Sequence, residues 1–288
     1  MIMTKGTRTF RLIISILLGI TMLWTAFMSY AFIYVTKENE ALKRNQRFGL
    51  YVAGIDVTMG NAYDILGDGT VSYNEVSNVL TLNNATIECD GSAIYSQIDL
   101  TVELIGENKF IRKGKELTYA LYASDRSLQK DLAIQGDGSL EIMVDDPNCR
   151  SISGIIADDL WIRADVSITL ANAAESTHGI SCEYLNLGDE QTLSVRVGSA
   201  ETSSGIYARS NISVGENATL NVIGTASTEE SWGIECAGIF TARENATINA
   251  KSGGDRAGIV CYSTLLDYGA TINSEVDIVD GVQDLQKP

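Results

Sequence analysis

Eight residues of this chain recur in a setting where their chemistry would add up: Tyr95, Tyr122, Tyr207, Tyr262, Asp158, Glu183, Arg209 and Glu235. Each stands one or three places after the apolar residue that opens a short repeated run, such as Ile94, Ile155 or Ile206. Side chains alternate along an extended strand, so all eight point away from the side taken by that apolar residue. Stacked in register, they would make one flat face of tyrosines, carboxylates and one guanidinium. Aromatic faces stack on sugar rings and polar neighbours orient hydroxyls, so the first chemistry this set offers is binding of a polysaccharide. The alternative is a solvated face whose tyrosines are there for their strand propensity.

Catalysis has less to build on. Asp158, Asp159, Glu183 and Arg209 would lie close together, and carboxylates beside a basic group suit a calcium-dependent polysaccharide lyase. Carboxylates are common enough here to cluster by chance, with 37 Asp and Glu in 288 residues. No Ser-His-Asp set or HExxH spacing occurs. The single histidine, His178, directly precedes a Gly-Ile pair and reads as a turn residue beside a coil. The stretch from Asp64 through Asp68, Gly69 and Ser72 to Glu75 mimics a calcium loop, but Leu66 occupies a ligand position, so a turn is the better reading. No cofactor is expected, and calcium is the one ion the carboxylates would attract.

The elements that position this face come from a repeat. Gly-Ile recurs at Gly154-Ile155, Gly179-Ile180, Gly205-Ile206, Gly233-Ile234 and Gly258-Ile259, in steps of 25, 26, 28 and 25 residues. Ala157, Cys182, Ala208, Cys236 and Cys261 follow two places after each Ile, and a second echo, such as Ala218-Thr219-Leu220 and Ala246-Thr247-Ile248, comes about a dozen residues later. A fixed period means one unit stacked on copies of itself. Within each unit apolar and polar residues alternate in short runs broken by Gly, Asn, Asp and Ser, the pattern of strands and turns. Only Pro147 and Pro288 would interrupt ladders. Three short strands per unit of about 25 residues fit an all-β fold, a right-handed parallel β-helix of about seven coils. Fainter copies open at Ile94 and Leu121. The 34-residue step from Leu121 to Ile155 predicts a protruding loop at Asp145, Asp146, Pro147 and Asn148.

Charge is segregated. Residues 1–49 carry seven Lys and Arg against two Asp and Glu, whereas residues 50–288 carry 14 against 35. A domain this acidic is a poor partner for nucleic acid. Residues 12–35 hold no charge and are long enough to span a bilayer as a helix. They predict an uncleaved transmembrane anchor, the alternative being a cleaved signal peptide. The expected division is a cytoplasmic tail 1–11, the anchor 12–35, a helical stalk 36–49, a hairpin module 50–90, the β-helix 91–276 and a tail 277–288, with the large domain outside the cell.

The five cysteines, Cys89, Cys149, Cys182, Cys236 and Cys261, show no CxxC spacing. Three of them occupy the small-residue slot and read as core fillers; Cys236 and Cys261 would be close enough for a disulfide. Asn84, Asn217 and Asn245 match glycosylation sequons but recur at one place in the repeat, where a left-handed turn explains them.

The segment from Tyr51-Val52-Ala53-Gly54 through Gly67-Asp68-Gly69-Thr70-Val71-Ser72-Tyr73 to Leu80-Thr81-Leu82-Asn83-Asn84-Ala85-Thr86-Ile87 resembles the opening module of bacterial, especially clostridial, cell-surface proteins. The likeness extends to Leu100-Thr101-Val102-Glu103-Leu104-Ile105-Gly106-Glu107-Asn108. That group resembles pectate-lyase-like β-helices and is often described as carbohydrate-binding. The resemblance implies a non-catalytic cell-surface binding protein for polysaccharide or another envelope partner, with a lyase or a protein-binding adhesin or spacer as alternatives. It assigns no ligand-binding residue to a numbered position. Read physically, the module is a hairpin with Val71 and Tyr73 on one arm and Leu80 and Leu82 on the other, turning over residues 74–78, and it closes one end of the solenoid.

Overall fold

The computed structural model describes residues 5–112, 118–125, 128–145, 149–225, 230–253 and 257–278. The chain divides into two compact units, residues 1–46 with 58–60, and residues 47–57 with 61–288.

The first unit is built on one α-helix, Lys5–Arg44. Forty residues at 1.5 Å per residue make it about 60 Å long. From Ile13 onward it is long and apolar enough to cross a membrane, with a mean hydropathy of 1.8. Leu17, Trp24, Phe27 and Phe32 are all exposed, so the apolar surface runs right round the helix. Its few polar side chains bond back to their own helix: Thr21 to the Leu18 carbonyl at 2.9 Å, Ser29 to Thr25 at 2.8 Å and Thr36 to Phe32 at 2.7 Å. That leaves the hydroxyls satisfied without water. The expected stalk is helical through Arg44, and a strand, Arg47–Val52, begins within it.

The second unit is a parallel β-solenoid of about six turns. The repeat predicts about seven; the partial laps at the ends, where Val79–Asn83 enters from a hairpin and Thr271–Asn273 and Val276–Ile278 are short, account for the difference. Each lap contributes a strand to each of three faces, and the inward residues form continuous ladders. On the first face Ile94, Leu121, Ile155, Ile180, Ile206, Ile234 and Ile259 pair rung to rung. On the second the ladder runs Leu80, Val102, Ile134, Ile162, Leu187, Val214, Ala242. The third runs Ile87, Phe110, Ile142, Ile168, Val195, Val222, Ala250. These residues are sealed from water, and each large aliphatic one contributes roughly 1.5–3 kcal/mol by its burial.

The glycine of the five Gly-Ile copies has a steric cause. A Cβ placed on Gly154, Gly205 or Gly233 would fall 2.5 Å from the carbonyl oxygen of the glycine one coil on. The glycines skip a rung of pairing, between Ser153 and Ile155 against His178 and Ile180 for instance, so consecutive residues turn inward there. The bends of the third face have another cause. Glu190, Asn217, Asn245 and Gly269 occupy one corner, with φ of 63°, 54°, 55° and 76°, the left-handed region that Asn and Gly tolerate best. The sequons at Asn217 and Asn245 are therefore corner residues, and Asn84 has φ 51° as well.

The hairpin forms as expected, with Val71 opposite Leu82 and Tyr73 opposite Leu80. It is not a separate module, however. Its second arm pairs parallel with Leu100–Ile105 and Thr86–Cys89 pairs parallel with Glu107–Arg112, so the solenoid starts well before residue 91. The closing element is the strand Arg47–Val52, which lies antiparallel on Ile94–Ser96 and covers the first edge. The protruding loop expected at 145–148 lies outside the described residues except for Asp145, and so does the tail beyond Ile278. All five cysteines are free, and Cys182, Cys236 and Cys261 are buried in the small-residue slot, as the core-filler reading expects.

Candidate functional site

The first face carries the candidate residues because its register holds from Ile94 through Cys261. Reading outward positions down the ladder gives Tyr51, Tyr95, Tyr122, Ile156, Ser181, Tyr207, Glu235 and Val260. Neighbouring strands are about 4.8 Å apart, so aromatic side chains at consecutive rungs must stack or splay. Here they stack. Tyr51 and Tyr95 have ring centroids 5.6 Å apart at 20°, and Tyr95 and Tyr122 5.5 Å apart at 14°. Tyr119, on the same strand as Tyr122, adds a fourth ring at 4.6 Å. With the turn at residues 88–92, Tyr51, Tyr95 and Tyr122 line an open groove of about 660 Å³. The turn is held from behind by buried Arg112, whose Nε donates to the Gly91 carbonyl at 3.2 Å. Gln97 donates to the Tyr95 hydroxyl at 3.2 Å and fixes that ring's polar end.

The charged candidates gather further along the same face. Arg209 Nε lies 3.0 Å from Glu183 Oε2 and its Nη2 lies 3.6 Å from Asp158 Oδ1. Nη2 also donates to the Gln129 side-chain oxygen. Gln129 reaches the site on an antiparallel hairpin, where it sits opposite Ser124. Asp159 stands beside this group, and burial, then the charges of Asp131, Asp158 and Glu183, push its carboxyl up from the usual range. Burial, then the Glu235 charge, pushes the Tyr207 phenol up. A guanidinium bound to two carboxylates is a poor base, and those carboxylates are the ones a calcium ion would need. Among the described residues no group of three or more His, Cys, Asp or Glu is placed to hold a metal ion.

The structure thus brings Tyr95 and Tyr122 together, and separately Asp158, Glu183 and Arg209, while Tyr207 and Glu235 sit on adjacent rungs. It does not make one continuous tyrosine platform. Ile156 and Ser181 separate Tyr122 from Tyr207. Tyr262 lies where the pairing register shifts after Cys261, and its ring joins no stack among the described residues. Ser124, three places after Leu121, breaks the outward pattern: it is buried and donates to the Leu128 carbonyl at 3.3 Å under the hairpin.

Sequence reasoning missed a second column on this face. The residues just before the first four Gly-Ile pairs, Ser153, His178, Ser204 and Trp232, continue from Tyr119 in register. His178 is therefore a strand residue, not a turn residue: it lies within Ser176–Cys182. The signal was available in the fixed offset from the repeated glycine. Burial pushes the His178 imidazole down, holding it neutral. Its Nδ1 and the Ser204 Oγ one coil on are both closed off without a hydrogen-bond partner among the described residues. Tyr51 was missed for a different reason: it enters from the antiparallel strand, outside the repeat.

Taken together, the fold and site define a β-solenoid with an aromatic groove and an ionic cluster on one face, preceded by a helix able to span a membrane. No protein-family model, curated protein or solved structure matches the chain.

Proposed function

We propose that this is a membrane-anchored cell-surface protein whose solenoid binds polysaccharide, without catalysis, along the first face. The observation that carries the reading is the open stack of Tyr51, Tyr95, Tyr122 and Tyr119 beside a groove of about 660 Å³. Parallel aromatic rings on a rigid sheet present broad apolar faces at low conformational cost, and the groove falls in the size range of ligand sites. The ionic cluster around Arg209 supplies hydrogen-bonding groups farther along the same face for hydroxyls of an extended chain. Carboxylates outnumber guanidinium groups there, which favours an uncharged polysaccharide over a polyanion. The N-terminal helix is the anchor, with the short basic segment inside and the acidic solenoid outside.

The test uses the full chain in detergent micelles, applied to insoluble cellulose, chitin and peptidoglycan with and without a calcium chelator. Retention on at least one of them, unaffected by chelation, is expected. Retention lost on chelation would instead favour the calcium-dependent reading, and no retention on any glycan, with a protein partner recovered by surface cross-linking, would favour the adhesin or spacer.

A further inference from the structure

A second recess lies on a different part of the solenoid, at the trailing end of the second face. Four residues follow the inward ladder there, one per coil: Arg163, Gly188, Gly215 and Arg243. Their stacking is fixed by the backbone, with Gly188 N–H bonded to the Ile162 carbonyl at 2.7 Å, Gly215 to Leu187 at 2.9 Å and Arg243 to Val214 at 2.9 Å. Two arginines are thus held three rungs apart, about 14 Å, with two glycines between them. The result is a recess of about 450 Å³ with a guanidinium at each end. Its floor has no room for a larger residue at Gly215 and is tight at Gly188. A Cβ on Gly188 would lie 3.3 Å from Arg163 Cγ, and one on Gly215 would lie 2.6 Å from Asp189 Oδ1.

The charge of this recess runs against that of its domain, which has 14 basic residues to 35 acidic ones. Arg163 is exposed and has no ion pair or hydrogen bond among the described residues. Arg243 has only a long contact, 3.6 Å, with Asp267. Along the wall Asn186 and Ser213 pair on adjacent coils and offer an amide and a hydroxyl. Asp189 supplies the one carboxylate in the recess, pinned by the Glu216 N–H at 2.8 Å. It would repel an anion placed beside it and accept a hydroxyl proton instead. An arginine fork matches the oxygens of a phosphate or carboxylate, and the remaining groups match sugar hydroxyls.

We propose that this recess binds a sugar bearing an oxyanion, phosphate or carboxylate, with the oxyanion on a guanidinium and the hydroxyls on Asp189, Asn186 and Ser213. This site is independent of the tyrosine groove. Calorimetric titration of the full chain in detergent micelles with glucose 6-phosphate, glucuronate, glucose and inorganic phosphate tests it. At least one charged sugar should bind saturably in the millimolar range or tighter, and glucose at least about tenfold more weakly. The preferred oxyanion follows from which charged sugar binds better. Whichever of Arg163→Gln and Arg243→Gln removes the guanidinium that holds the oxyanion should weaken the charged sugar about tenfold, the double variant should weaken it at least as much, and neither single variant should change retention on polysaccharide. The proposal is overturned if the charged sugars bind no better than glucose, if binding survives in the double variant, or if inorganic phosphate binds as tightly as glucose 6-phosphate.

Discussion

Tyr95 and Tyr122, 27 positions apart in the sequence, lie one above the other with ring planes 14° from parallel and centroids 5.5 Å apart. Their backbones pair directly, so the contact is set by the register of the solenoid rather than by the side chains. The same register brings Arg209 onto Glu183 and Asp158, and sets Arg163 and Arg243 at the two ends of a column with two glycines between them. Function in this chain is therefore a matter of which residue stands at a given offset in each copy of the repeat. The stability of the ladders and the geometry of the sites are linked.

The first consequence concerns the glycine column. Gly205→Ala would thrust a methyl group against the buried Val222 side chain and the Gly233 carbonyl oxygen, the latter 2.5 Å away and a backbone atom that cannot swing aside. Overpacking of this kind costs about 1–3 kcal/mol. A lower urea midpoint is expected for the full chain, measured by far-UV circular dichroism, whereas Gly91→Ala on the exposed turn, whose φ is not left-handed and whose added Cβ meets no atom within 4 Å, should lose less.

A second concerns the cysteines. Burial pushes the Cys236 thiol up to about 12 and Cys261 up to about 11, and also raises Cys182. Native protein treated with a maleimide at pH 8 should label at Cys89 alone, the one cysteine that is not fully buried, and at all five after denaturation. The folded thiols hold their protons more tightly than the unfolded ones, whose ordinary value is 9.0. Their contribution is therefore complete below pH 9 and is lost as pH rises through 11 to 12. Cys236→Ala should flatten the fall in stability over that window.

A third concerns Asp159, whose carboxyl is pushed above 3.8 by burial and by three neighbouring carboxylates. A raised folded-state value means that the protonated form is favoured in the fold, so the contribution is present below pH 3.8 and disappears as pH rises. At neutral pH the charged form is a cost. Asp159→Asn keeps the backbone N–H bonded to Asp131 and should raise Tm at pH 7 by about 2 °C. The gain should vanish near pH 3.

Much of this was legible from spacing. The Gly-Ile period gives the coil, and the offsets of one and three residues from each apolar opener place Tyr95, Tyr122, Tyr207 and Glu235 in one column, as the pairing has them, and Asp158, Glu183 and Arg209 beside it, where ion pairs join them. What escaped lies where the repeat is silent. Tyr51 arrives on an antiparallel strand whose partner no periodicity names. Gln129 comes from a hairpin inserted between coils, and that hairpin buries Ser124. Tyr262 sits just past Cys261, where the ladder shifts and the offset stops being reliable. His178 was misread because a residue preceding glycine suggests a turn, whereas here the glycine lies inside a strand.

The proposal for the first face stands or falls on Tyr122, the ring shared by two stacking contacts. The decisive measurement is the affinity of the full chain, in detergent micelles, for an oligosaccharide of whichever polysaccharide retains it, compared across wild type, Tyr122→Phe and Tyr122→Ala. Stacking predicts that the phenylalanine variant binds within about threefold of wild type and that the alanine variant binds at least about tenfold more weakly. Equal affinity in all three would contradict the account.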